Sequence, residues 1–159
     1  MSKSGHLFPA TSARMSRALR AALFALAAAA PAARPQDRAD SLAAPRVRII
    51  NPDHDAVVTG RNVAVVLEAH GVLIAPALEH RPGTAHVDLF LDRDLTPADS
   101  AVPFWTPGIV HLSRGQSWRT LENVSPGAHR LIAVLVDANH LPLTPLVADT
   151  VRFTLTRRR

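Results

Sequence analysis

From Arg46 onward the apolar residues recur at every second position rather than every third or fourth. In "RVRIIN", Val47 and Ile49 point one way while Arg46 and Arg48 point the other. In "RNVAVVLEAH", Val63, Val65 and Leu67 share a face opposite Asn62 and Glu68. "AHVDLFLD" sets Val87, Leu89 and Leu91 against His86, Asp88 and Asp92, and "DTVRFTLT" sets Val151, Phe153 and Leu155 against Thr150, Arg152 and Thr154. Successive side chains of an extended strand alternate faces, so this pattern predicts strands with one wet face. "AHRLIAVLVD" is apolar on both sides in its middle and predicts a central strand whose outer face is covered.

Between these runs lie "NPDHD", "TGRN", "RPGT", "LTPAD", "WTPG", "SRGQ" and "SPGA". Proline presets φ, and glycine or aspartate permits a tight reversal. No twelve-residue stretch of 46–156 carries a helical stripe. About seven short strands with turns at such spacing predict an all-β fold, an immunoglobulin-like antiparallel β-sandwich. A small open β-barrel is the alternative.

The first third reads differently. Arg17 and Arg20 precede the apolar run "AALFALAAAA" at 21–30, and small residues with prolines follow. A basic start, a short apolar stretch and small residues at its exit predict a secretory signal peptide over 1–33, cleaved within 28–36. The run falls short of the roughly 20 apolar residues needed to span a bilayer, so no transmembrane segment is expected after cleavage. Met15 is an alternative start. Residues 34–45 read as a polar linker, 46–156 as the sandwich domain, and Arg157–Arg159 as a basic tail.

This division changes the meaning of the net charge of +5. Lys3, Arg14, Arg17 and Arg20 belong to the leader, whereas 46–159 holds 12 arginines against 11 acidic residues, which is +1. No basic face remains for a nucleic acid. The chain has no cysteine, which excludes disulfides, thiolate metal sites, a cysteine nucleophile and a lipoprotein anchor. The domain must therefore rely on its core.

Several blocks resemble a bacterial secreted domain of unknown function, family number 4399: "INPDHDAVVTG", "GVLIAPA", "RPGTAHVDLFLD", "HLSRGQS", "SPGAHRLIAVLVDANHLPLTPLV" and the closing "VRFTL", in that order over about 48–156. The family pattern runs through GTGHHHLLID, HFGKGQ and GNHxPHxPP. His86 falls on the first histidine of the triple run, with Val87 and Asp88 at the other two places. His111 falls on the histidine before the glycine-rich turn, and His140 on that of GNH. Leu143 replaces the last histidine. The resemblance implies a secreted or periplasmic module with no established activity, and its histidines suggest a metal site.

Imidazole is a common ligand for copper and zinc, and three can suffice when water or a carboxylate completes the shell. Loops at one end of a sandwich could gather His86, His111 and His140. Asp88 follows His86 by two residues on the same strand face, as a fourth ligand or as an acceptor that orients an imidazole. The competing reading makes all three turn or surface histidines. In "VDANHLPLTPL", strand termination accounts for Asp137, Asn139, Pro142 and Pro145 but does not require His140.

The carboxylates of "PDHD" and "LDRD" lack the order of a dedicated calcium loop and read as solvated turn residues. Trp118, alternating with Arg119, reads as core; Phe104-Trp105 reads either as an exposed contact or as a plug over the sandwich end. G-x-S-x-G, H-E-x-x-H, P-loop and G-x-G-x-x-G signatures are missing. The first expectation is thus a secreted or periplasmic, non-enzymatic binding or interaction module for an envelope protein or small ligand, without a cofactor. The alternative is a copper- or zinc-binding protein using His86, His111, His140 and Asp88. A small hydrolase comes third.

Overall fold

A computed structural model describes residues 43–158; the signal peptide expected over 1–33, most of the linker and Arg159 lie outside the described residues. Nine strands follow one another: β1 (Arg46–Asn51), β2 (Ala56–Thr59), β3 (Val63–His70), β4 (Leu73–Ile74), β5 (Thr84–Leu91), β6 (Ile109–Leu112), β7 (Trp118–Leu121), β8 (Gly127–Val136) and β9 (Ala148–Thr156). They form two sheets, one ordered β1-β3-β7 and one ordered β2-β9-β8-β5-β4 with β6 also paired to β5. Two packed sheets with this non-sequential order make an immunoglobulin-like β-sandwich.

Two features depart from expectation. The sandwich is not antiparallel throughout, because β2 runs parallel to β9 and β4 parallel to β5. Trp118 is not core: it is 63% exposed and sits opposite Val66, an outward residue of β3. Trp118 and Arg119 are both exposed, so the polarity of these two neighbours does not mark a buried face. Leu121 is the buried residue of β7.

The alternating residues meet as predicted. Val63, Val65 and Leu67 of β3 pack with Val87 and Leu89 of β5, Leu131 and Leu135 of β8, and Val151, Phe153 and Leu155 of β9. Each such side chain removed from water contributes about 1.5–3 kcal/mol.

A second, smaller cluster lies on the other face of the large sheet. Phe90, Ile132, Val134 and Val136 point away from the main core and are covered by Val102, Ile109 and Leu95. The cover is the connection between β5 and β6. It returns to the sheet at Gly108, whose φ of +84° and close approach to Leu91 O and the Arg93 side chain leave no room for a Cβ. Because of this cover β5 is buried from Ala85 to Phe90, on both faces. Two polar residues of β5, His86 and Asp88, are buried with it.

Candidate metal centre

Strand register places the first three residues. His86 and Asp88 are two apart on β5 and therefore share its outer face. Antiparallel pairing sets Asp88 directly opposite His111 on β6, and His86 opposite Val136, the last residue of β8. Opposed side chains in such a pair stand about 4.5–5.5 Å apart at Cβ, within reach of a side-chain contact.

The fourth residue arrives by a turn. After Val136 the chain reverses through Asp137–His140, closed by His140 N donating to Asp137 O at 2.9 Å. The Asp137 carboxylate accepts from Asn139 N at 2.8 Å and from Leu141 N at 2.9 Å. His140 takes a left-handed φ of 61°. That conformation is uncommon for a residue with a Cβ, and its neighbour Asn139 would have been the usual occupant. Instead Asn139 is exposed and His140 is turned in over β5. Its carbonyl accepts from Val102 N at 2.8 Å, which ties this turn to the covering connection.

All four sequence-predicted residues come together. One ligand atom from each of His86, Asp88, His111 and His140 can be chosen so that all lie within 4.8 Å of one another. His86 Nε2 and His140 Nδ1 share a hydrogen bond at 3.2 Å, and His111 Nδ1–H donates to Asp88 Oδ1 at 2.6 Å. A tetrahedral ion with bonds near 2.05 Å separates its ligands by roughly 3.3 Å. The location differs from the one expected: the residues meet on the outer face of the large sheet beneath a connection, not among loops at the end of the sandwich.

Burial dominates the electrostatics. His86 is 1% exposed, and its pKa is lowered from 6.5 to about 3 by burial, then by the nearby His111 and His140, with Asp137 opposing. His140 is lowered by burial first and then by His111, with Asp88 and Asp137 opposing. Asp88 is fully buried; burial raises its pKa, opposed by the hydrogen bond from His111. Asp88 Oδ2 has no hydrogen-bond partner among the described residues. A buried carboxylate oxygen without a partner is costly unless a cation or donor satisfies it. The site therefore offers the neutral imidazoles of His86 and His140 and a carboxylate oxygen short of one partner among the described residues.

Phe104 completes the surroundings. Its ring stacks on His111 at 4.8 Å and 27°, and lies 4.6 Å from the ring of His140. Trp105 packs edge-on against Phe104 at 4.9 Å and is 76% exposed. Phe104 thus lies against the cluster and Trp105 is exposed beside it. Nothing in the sequence pattern linked Phe104 to the histidines. His129 was also missed: it is buried, with Nδ1 2.7 Å from Asp92 Oδ2 and Nε2 2.7 Å from Ser125 O. The "LDRD" carboxylates serve similar ends, since Asp94 pairs with Arg130 at 2.6 Å.

A family model, Domain of unknown function (DUF4399), matches residues 65–156, more than half of the chain. The chain belongs to that family. The DUF4399 match runs from β3 to the last residue of β9 and contains all four clustered residues. No curated protein matches the chain. Among solved structures it is similar to the fibronectin(III)-like modules of Clostridium thermocellum CbhA, with 16% identity over 71% of this chain and 99% of that one and a TM-score of 0.44. It is also similar to an engineered protein (15% identity, 72% of this chain and 20% of that one, TM-score 0.44). A third likeness is to the extracellular domain of the putative one component system BT4673 from B. thetaiotaomicron (10% identity, 70% and 15%, TM-score 0.40).

Proposed function

We propose that this DUF4399 domain is a non-enzymatic metal-binding module that holds one copper or zinc ion through His86, Asp88, His111 and His140. The observation that carries the reading is the convergence of four ligand atoms within 4.8 Å, one of them from a fully buried carboxylate whose Oδ2 has no partner among the described residues. Three imidazoles and one carboxylate are a borderline donor set suited to zinc and copper, while magnesium and calcium favour all-oxygen shells. The burial that lowers the histidine pKa values keeps His86 and His140 neutral, as a metal ligand must be. Four protein ligands fill a four-coordinate shell, which suits holding or carrying an ion rather than activating a substrate. The apolar run at 21–30 behind Arg17 and Arg20 supports export, and we place the module in the periplasm or outside the cell.

The test is titration of the tag-free protein with copper(II) and zinc(II) by calorimetry. One-to-one, submicromolar binding is expected, weakened at least tenfold in each of His111→Ala, His140→Ala and Asp88→Asn. Binding that is absent, or indifferent to all three substitutions, refutes the reading.

A further inference from the structure

We propose that Phe104 sets the coordination number of this site and so selects four-coordinate ions over those that retain water. The inference rests on the metal reading above. On one side the cluster is backed by the large sheet, where Val134 and Val136 are fully buried. The Phe104 ring lies against both His111 and His140, the two partly exposed imidazoles. A six-coordinate ion held by four protein atoms needs two further ligands. Those positions fall to water, each molecule needing about 30 Å³ and polar partners of its own. An aromatic carbon face supplies neither the space nor the partners. Zinc(II), satisfied by four ligands, needs no water beside the ring, whereas nickel(II) and manganese(II) in tetragonal or octahedral shells must push it aside.

The ring is built into its place. Phe104 N donates to Val102 O at 2.9 Å, and Val102 N donates to His140 O at 2.8 Å, so the plug is anchored to the turn that carries a ligand. Trp105 packs on Phe104 at 4.9 Å from the solvent side. Outer-shell partners of metal ligands typically change affinity by about 10–100-fold when altered, and the apolar shell controls the access of solvent to the ion.

Cobalt(II) visible spectroscopy tests this directly, because four-coordinate cobalt absorbs strongly and six-coordinate cobalt weakly. The tag-free chain, Phe104→Ala and Phe104→Leu are compared, with thermal melts to verify folding and with zinc(II) and nickel(II) affinities alongside. The wild-type complex is expected to show intense four-coordinate bands. Phe104→Ala should lose that intensity and shift the nickel-to-zinc affinity ratio toward nickel by about tenfold or more. Phe104→Leu, which keeps an apolar plug, should fall between. A weak, six-coordinate spectrum in the wild type overturns the proposal, as do unchanged spectra and ratios in both variants. If the wild type binds none of cobalt, zinc and copper, the metal reading itself fails and this one with it. If it binds copper alone, or binds cobalt and zinc with no effect of Phe104, only the selectivity inference fails.

Discussion

At the scale of single residues, burial beside two other imidazoles lowers the His86 pKa from the ordinary 6.5 to about 3. Between those values the unfolded chain binds a proton that the folded chain refuses. Stability from this residue is therefore fully present above pH 6.5 and is lost as pH falls toward 3, by roughly 3–5 kcal/mol when complete. Asp88 acts with the opposite sign, since its raised pKa favours the folded state when protonated. Its contribution is present at low pH and is lost as pH rises through the folded-state value. The two are separated by comparing urea midpoints of the wild type and His86→Gln, both with chelator, from pH 7 to pH 4. The wild type should lose stability more steeply on acidification, and identical slopes would contradict the assignment. His140 shows what was legible at this scale. Its sequence context explained every neighbour except the histidine, and it is the histidine that turns inward at φ 61°.

At the scale of elements, the decisive pairing is β5 between β6 and β8. The doubly apolar pattern of β8 foretold a covered outer face. The pattern did not say what covers it, because the connection from Asp92 to Gly108 has no periodicity of its own. Phe90 is the keystone of that cover, 1% exposed between Ile132, Val102 and Ile109. Phe90→Ala is expected to cost about 3–5 kcal/mol in urea unfolding and to loosen the connection that carries Phe104. A loss under 1 kcal/mol would mean the outer cluster is not a packed core. Trp118 is the corresponding failure of pattern reading. In a four-residue strand at a sheet edge, alternation fixes which residues share a face but not which face is inward.

At the scale of the whole molecule, no disulfide can hold the fold, since the chain has no cysteine. A bound ion would join β5, β6 and the turn after β8, tying His86 to His140 across 54 positions of sequence. Because only the folded chain assembles these ligands, metal binding adds to folding stability, about 2.7 kcal/mol at a hundredfold excess over Kd. Saturating zinc should therefore raise the unfolding midpoint relative to chelator in the wild type, and by less at the same zinc concentration in His140→Ala. An unchanged wild-type midpoint would sink this expectation.

Period-two alternation in 46–156 determined the all-β class, because one buried face demands it whatever the strands pair with. Histidine and aspartate at 86, 88, 111 and 140 determined which donors were on offer. Only the tertiary structure decided that they meet on the outer face of the large sheet, under Phe104. Strand register and the path of a connection are long-range outcomes of packing, set by residues far apart in sequence. No local pattern around His86, His111 or His140 carries that information.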